Sequence, residues 1–215
     1  MFSLSRWSLP PTNKEAVPIP DLVEIERRFL VDGREEKPWR TGSTAHAIEQ
    51  HYGVENHIQS NGRALSCDGV FLAELTPEQH AVWERMATKI GRLRRRDTVW
   101  VLTFKSRIDA AAALELEWSV QAEAASALMA HGPYPSVKKT RYVWNGSDGH
   151  AWEVDEFEGA LAGVVLAEVE LDAVDEALAI PPWVGHEITG LTSWSNRALA
   201  QTLAATMNTH EPRPE

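Results

Sequence analysis

A five-residue stretch near the start of the chain, residues 24–28 (EIERR), constrains the fold more than any other part of the sequence. In an extended strand alternate side chains point to the same face, so Glu24, Glu26 and Arg28 lie together and the residues between them face the other way. Two carboxylates and a guanidinium are costly to bury unless water, a metal ion or a polyanion shares their space. The stretch therefore predicts a strand with one charged face and one apolar face.

Further segments repeat this alternation, with charges of one sign on one face and mostly apolar residues between them. An open sheet with these faces in bulk water is the ordinary explanation for any single strand. Because the clusters recur from strand to strand, a closed barrel with a charged lumen and helices packed outside explains them all. We therefore predict an α+β fold built on an antiparallel eight-stranded β-barrel, since about eight strands leave a lumen for one small ligand. The recurring positions are Arg92, Arg94 and Arg96; Thr103 and Lys105; Glu115 and Glu117; Lys139 and Arg141; Glu153 and Asp155; Glu168 and Glu170.

A series of segments between about residues 22 and 203 resembles the motifs of the CYTH superfamily, the triphosphate tunnel metalloenzymes. Residues 24–31 (EIERRFLV) are similar to the ExExK signature of that family, and residues 48–52 (IEQHY) are similar to its IxQxY segment. The remaining segments follow in the family's order: 91–94 (GRLR), 101–105 (VLTFK), 115–117 (ELE), 138–142 (KKTRY), 152–155 (WEVD), 166–171 (LAEVEL) and 182–189 (PWVGHEIT).

This resemblance implies metal-dependent hydrolysis of a triphosphate inside the barrel, most simply of inorganic tripolyphosphate, with a nucleoside triphosphate as another possible ligand. Forked guanidinium groups bind phosphate oxygens two at a time, and Mg²⁺ or Mn²⁺ prefers carboxylate oxygens. The family pattern assigns catalysis to Arg28, Glu26 and Glu117, substrate binding to Arg92, Arg94, Lys105, Lys139 and Arg141, and metal binding to Glu24, Glu26, Glu168, Glu170 and Asp155. The alternative for the basic residues is salt bridging to acidic residues of the barrel face, Glu115, Glu117 and Asp155.

The sequence departs from the family pattern at two positions. Arg28 stands where the signature has lysine, and its guanidinium is larger and permanently charged, which preserves phosphate binding but not a role that needs a compact ammonium. A bulge that exchanges Arg27 and Arg28 is an alternative that strand alternation disfavours. Ala113 stands where relatives often carry arginine, so one basic contact is missing. Glu187 is equally suited to catalysis and to holding a basic side chain near the tunnel mouth.

Other functions of the family remain open alternatives. Members form cyclic AMP from ATP, or hydrolyse thiamine triphosphate or the RNA 5′ end. The cyclase branch resembles a longer signature with His-Phe before the acidic pair, and residues 19–22 (IPDL) stand there instead. A non-catalytic binder of nucleotide or polyphosphate is an alternative from a different class.

Four residues, His46, His51, His57 and Cys67, lie close enough in sequence to suggest a zinc site. Their spacing does not match the tight ligand pairs of structural zinc motifs, which disfavours this interpretation.

Composition limits the remaining possibilities. A chain of 215 residues suits one sizeable domain, and its net charge of −10 disfavours non-specific binding of nucleic acid or of an anionic membrane. Cys67 is the only cysteine, which excludes an intrachain disulfide and favours a cytoplasmic setting. No apolar run approaches the length of about 20 residues that a membrane span needs.

We divide the chain into an N-terminal extension (1–20, with Trp7 as an anchor or part of a free tail), a tunnel domain (21–207) and a tail (208–215). An insertion at about 53–90 suits a lid, a homodimer contact or padding. Hairpin turns are predicted at 61–62 and 145–149. Helices are predicted after a cap at 42–44, over 75–90, 121–131, 172–178 and 195–207.

Overall fold

The computed structural model describes residues 22–34 and 36–208. The predicted N-terminal extension, including Trp7, and all but the first residue of the predicted tail lie outside the described residues. Within them twelve strands form: β1 (Val23–Val31), β2 (Thr44–Tyr52), β3 (Gln59–Ser60), β4 (Ala64–Cys67), β5 (Val70–Glu74), β6 (Ile90–Arg96), β7 (Val99–Arg107), β8 (Ala112–Val120), β9 (Ser136–Asn145), β10 (Ala151–Phe157), β11 (Val165–Glu170) and β12 (Val184–Glu187).

Eight of these strands close into a barrel in the order β1, β8, β7, β6, β2, β9, β10 and β11, and β11 pairs back onto β1. Every neighbouring pair around this ring is antiparallel. The strand β12 pairs with the end of β1. The prediction of an antiparallel eight-stranded β-barrel within an α+β fold is confirmed.

Three α-helices accompany the barrel: α1 (Pro77–Arg85), α2 (Ala122–Met129) and α3 (Asn196–Asn208). Short 3₁₀ helices form at Pro38–Arg40, Val54–His57, Gly159–Leu161 and Thr192–Trp194. None of the described helices combines the length and the apolar composition that crossing a bilayer requires.

The apolar faces of the strands point away from the lumen and pack against the helices. Leu93, Leu102 and Leu116 of the barrel are fully buried in one cluster with Val82 of α1 and Leu128 of α2. Two further clusters cover the rest of the barrel wall, and one of them includes Ala200 of α3. The outer face of the barrel wall is therefore apolar and covered, and its inner face is charged.

The predicted insertion folds as a small layer on this wall. The strands β3, β4 and β5 form a separate sheet, and α1 follows it. Leu65, Leu72 and Leu75 belong to the same buried cluster as the barrel residues. Gly91 of β6 allows close packing here, since a Cβ atom at Gly91 would lie 2.8 Å from the backbone nitrogen of Glu55.

Several local predictions are confirmed. The turn at 61–62 joins β3 to β4, and the carboxamide oxygen of Asn61 accepts hydrogen bonds from the backbone nitrogens of Arg63 and Ala64, both at 2.9 Å. The turn at 145–149 joins β9 to β10, and the helices at 121–131 and 195–207 are present as α2 and α3. Thr76 caps α1 as predicted, in a capping box with Gln79.

Three local predictions are wrong. No helix forms over 172–178, because a tight turn there is held by the carboxylate of Glu176, which accepts a hydrogen bond from the backbone nitrogen of Asp172 at 2.6 Å. The segment 42–44 does not cap a helix, because Thr44 already pairs with Val143 in the barrel. The helix over 75–90 ends at Arg85, because Ile90 opens β6.

Replacing Leu116 by alanine tests how far the outer clusters support the barrel. Leu116 is 0% exposed, so we expect its truncation to lower the free energy of unfolding by about 2–5 kcal/mol. Leu191 is 52% exposed, and the same change there should alter stability by no more than about 0.5 kcal/mol. Urea unfolding of both variants measures the difference. Equal stabilities would show that the outer cluster does not support the barrel.

Candidate active site

A cavity of about 800 Å³ occupies the barrel lumen. The charged positions predicted to share one face line it together, because each strand turns the same set of alternate residues inward. Its charged lining residues are Glu24, Glu26, Arg28, Arg92, Arg94, Arg96, Lys105, Glu115, Glu117, Arg141, Glu153, Glu168, Glu170 and Asp172. The like-charged rows therefore meet around one interior space.

Arg92 and Arg94 keep buried donors without a partner among the described residues of the cavity. The Nε atoms of both guanidinium groups are buried and make no hydrogen bond within the described residues. Burial and the neighbouring Arg92 lower the pKa of Arg94 to about 10, although Glu117 acts in the opposite direction. Two desolvated guanidinium groups with open donors form a site that favours an anion.

Lys105 is paired with carboxylates of two other barrel strands, β1 and β8. Lys105 donates to the carboxylate of Glu24, and its Nζ lies 2.9 Å from Glu115. Burial alone would lower the pKa of Lys105, but these two carboxylates raise it above its usual value. On the basic side Glu117 lies 3.1 Å from Arg94 and accepts a hydrogen bond from Thr103 at 2.9 Å.

Arg28 bridges the two acidic strands of the lumen. Its Nη2 donates to Glu26 at 2.7 Å, and its Nε donates to Glu168 at 2.6 Å. Burial opposes the charge of Glu168, yet Arg28 lowers the pKa of Glu168 well below its usual value, with Arg141 as the next contributor.

Arg27 points the other way and binds Glu187 through two hydrogen bonds of 2.9 and 2.7 Å. Strand alternation therefore holds without a bulge at this position, and the contact supports the holding role of Glu187.

Lys139 and Asp155 do not face the cavity, unlike the other predicted site residues. Both side chains are 0% exposed, and neither belongs to the cavity lining within the described residues. Lys139 donates to Asp155 and to the side-chain oxygen of Asn196, the latter at 3.1 Å. Burial lowers the pKa of Lys139 to about 8 in spite of Asp155. Arg141 binds Asp155 through two bonds of 2.7 Å, so this carboxylate holds two cations in place.

These contacts revise the interpretation of both residues. The Asp155 carboxylate is bound by Arg141 and Lys139, and neither Lys139 nor Asp155 is among the described residues that line the cavity. Their position supports a role in orienting Arg141, which does line the cavity.

The acidic side of the cavity fits a hard divalent cation. Glu26 stands directly opposite Glu170 across the β1–β11 pair, and like charges in this arrangement repel. Burial and then Glu168 raise the pKa of Glu26, while burial and then Glu24 raise the pKa of Glu170. Glu170 has no ion pair within the described residues. A group of crowded carboxylates is the oxygen donor set that Mg²⁺ or Mn²⁺ prefers.

The structure also shows the surroundings of three residues outside the predicted ligand sets, Ala113, Lys138 and His46. Ala113 stands opposite Glu24 and brings no charge, and Lys105 serves that carboxylate instead. Lys138 points outward as predicted, with 61% of its side chain exposed. His46, one of the suggested zinc ligands, binds Asp97 at 2.7 Å and so takes no part in a site with Cys67.

The sequence alone did not reveal two contributions to the site. Asn196, the first residue of α3, lines the cavity and binds Lys139, but no local pattern links it to a strand 57 positions away. Beside the lumen lies a second cavity of about 290 Å³ that shares Glu170 and Asp172 with it and adds Asp148, His150 and Glu176. His150 binds Glu176 at 2.9 Å.

Sequence similarity to individual known proteins indicates the family of the chain. No family model matches it. It is 34% identical over 114 residues to an inorganic triphosphatase of Nitrosomonas europaea, a match that covers 52% of this chain and 75% of that protein. The chain belongs to the CYTH superfamily.

A second relative of this CYTH protein is an inorganic triphosphatase of Acetivibrio thermocellus, 33% identical over 101 residues. This match covers 46% of the chain and 64% of the relative, slightly less than two thirds of its length. A crystal structure of an inorganic triphosphatase is 28% identical, covers 82% of this chain and 93% of that one, and aligns with a TM-score of 0.49. The superfamily predicted from the sequence motifs is confirmed.

Replacing Asp155 by asparagine distinguishes a structural carboxylate from a metal ligand. Removal of its charge leaves Arg141 and Lys139 buried with less compensation, so we expect a loss of about 3–5 kcal/mol in the free energy of unfolding. Glu117→Gln, at a side chain 40% exposed, should cost less than about 1 kcal/mol. Urea unfolding in the presence of a chelator measures both. A stable Asp155→Asn protein with weakened metal binding would restore the metal-ligand interpretation.

Replacing Glu170 by glutamine tests the repulsion among the carboxylates. A carboxyl group whose pKa is higher in the folded than in the unfolded chain loses its stabilising contribution as the pH rises through the folded-state pKa. Glu170→Gln should therefore stabilise the metal-free protein at pH 7, and the gain should decrease as the pH falls through the folded-state pKa and be absent below about pH 4. Urea unfolding across this pH range measures the gain. Glu84→Gln on α1, whose side chain is 67% exposed, is the control and should show no such trend. A pH-independent difference would contradict the prediction.

Proposed function

We propose that this CYTH protein hydrolyses a linear triphosphate in the barrel lumen, most simply inorganic tripolyphosphate, with Mg²⁺ or Mn²⁺ as cofactor. The observation that carries the proposal is the pair of buried, unbonded Nε atoms of Arg92 and Arg94 beside the cavity of the lumen. Buried donors without partners are costly unless a ligand satisfies them. The relatives named inorganic triphosphatase support the same reaction.

The basic residues of the lumen would hold the phosphate chain. Arg92, Arg94 and Arg141 are forked donors suited to non-bridging oxygens, and Lys105 on the strand next to Arg92 and Arg94 adds a point charge. Substrate would take over cations that now bind Glu117, Glu24 and Glu153. Because these donors are already positioned by the barrel, they stabilise charge on the transferring phosphoryl group without large rearrangement.

The acidic residues would hold the metal ion. Glu24, Glu26, Glu168 and Glu170 line one side of the cavity and belong to only two strands, β1 and β11. A bound divalent ion would neutralise phosphate charge and orient the chain for in-line displacement.

Arg28 would act on the reacting phosphoryl group. Its guanidinium lies between Glu26 and Glu168 and is 16% exposed, so it faces the lumen from the acidic side. Water attacks the terminal phosphorus, the phosphoanhydride bond breaks, and phosphate and pyrophosphate leave. Glu26 is suited to accept the proton of this water, because burial raises its pKa toward the useful range of a general base. Glu117 is the second candidate for that role.

The lining favours an inorganic chain over a nucleotide. No aromatic side chain is among the described residues that line the cavity, so no ring is present there to stack on a base. We therefore expect the phosphate chain itself, and not an attached nucleoside, to be recognised.

Phosphate release from tripolyphosphate and from ATP, measured with Mg²⁺ and with Mn²⁺, tests the proposal. We expect turnover of tripolyphosphate to exceed that of ATP and to stop when a chelator removes the metal. Glu26→Gln and Lys105→Ala should each lower kcat/KM by about 100-fold or more, because each removes a charge placed at the reacting chain. Lys138→Ala, which removes an outward lysine, is the matched control and should change activity by no more than about twofold.

Other outcomes identify the alternatives. Binding of tripolyphosphate without turnover would support a non-catalytic polyphosphate binder, for which the arginine at position 28 is the favouring feature. A cyclic product from ATP would support a cyclase. Retained activity in Glu26→Gln or Lys105→Ala, with both proteins folded, would contradict the assigned roles.

A further inference from the structure

Three potential metal ligands meet outside the tunnel, where the β4–β5 hairpin touches the end of α2. Cys67 is the last residue of β4, Asp68 begins the turn into β5, and His131 follows α2 by two residues. One donor atom of each residue lies within 4.8 Å of the donor atoms of the other two. The carboxylate of Asp68 lies 2.8 Å from Nε2 of His131.

The geometry is close to that of an ion-binding site. A tetrahedral zinc ion, with bonds of about 2.0–2.3 Å, separates its ligand atoms by about 3.5 Å. Small rotations of an exposed Asp68 and a half-buried His131 would bring the three donors to that separation, because the two side chains are 67% and 27% exposed. The imidazole of His57 stacks on His131 with ring centroids 4.1 Å apart and 13° between the planes, which holds the His131 ring in place.

The hydrogen bond between Asp68 and His131 accounts for those two residues but not for the thiol beside them. Cys67 is 0% exposed and makes no hydrogen bond within the described residues. A divalent cation would give this buried sulfur a partner, since a cysteine that binds a metal ion releases its thiol proton.

We propose that Cys67, Asp68 and His131 bind a zinc ion, with water as the fourth ligand and His57 as the residue that positions the His131 ring. A thiolate, a carboxylate and a neutral imidazole balance the charge of Zn²⁺, and sulfur and nitrogen donors select zinc over Mg²⁺. The ion links the hairpin of the insertion to α2. Both pack in the buried cluster outside the barrel, so the ion supports the wall and takes no part in the lumen chemistry.

Cobalt titration of the chelator-treated protein tests the site, with Mg²⁺ in excess to occupy carboxylate sites. We expect one equivalent of Co²⁺ to produce a thiolate-to-cobalt absorption band in the near ultraviolet, and one equivalent of Zn²⁺ to remove it. Cys67→Ala should lose the band completely. His57→Ala should keep it with about tenfold weaker affinity, as expected for a residue that positions a ligand. His80→Ala, at an exposed histidine of α1, is the control and should behave as the unaltered protein.

Thermal unfolding supplies a second measurement. Zn²⁺ should raise the Tm of the unaltered protein and not that of Cys67→Ala, because an ion bound only by the folded state stabilises it. Triphosphatase activity of folded Cys67→Ala should remain, which separates this site from the tunnel. The absence of the cobalt band in the unaltered protein, or an equal Tm increase in Cys67→Ala, would overturn the proposal.

Discussion

Charge neutralisation inside a closed barrel is the constraint on which the rest of this structure depends. Acidic side chains of β1, β8, β10 and β11 meet basic side chains of β6, β7 and β9 across a shared lumen. Buried charges are tolerated only when paired and hydrogen-bonded, and most of the lumen cations bind a carboxylate here. Asp155 shows this most clearly, because Arg141 and Lys139 both bind it where no solvent reaches.

The apolar residues between the charges make the other half of the design. They point outward, where α1, α2 and the small sheet of the insertion cover them. The barrel wall is therefore one layer with charged side chains on its inner face and a hydrophobic core against its outer face. Because helices cover the outer face of the barrel, the hydrophobic core lies outside it and the lumen can remain polar. In a barrel filled with apolar side chains the core occupies the lumen instead.

The pairing within the lumen also bears on how ligands are accommodated. Arg28, Lys105 and Arg94 each bind a carboxylate that the proposed reaction assigns to a metal ion or to catalysis. A polyanion that took these cations alone would leave carboxylates uncompensated, and a metal ion alone would leave guanidinium groups uncompensated. Binding of both together gives the carboxylates and the guanidinium groups new partners at the same time, so the two ligands are expected to favour each other.

By itself the sequence determined which side chains are charged and that they alternate with apolar residues. It also predicted a charged barrel lumen and contained the motifs of the CYTH superfamily. Alternation follows from the local geometry of a strand, so a single sequence is sufficient to predict it. Only the tertiary structure decided which charges meet: that Arg28 reaches Glu168, 140 positions away, that Lys139 and Asp155 bind each other out of contact with solvent, and that His131 lies near Cys67. The register of the strands and the closure of the barrel come from pairing between distant segments, and no local pattern of residues contains that information.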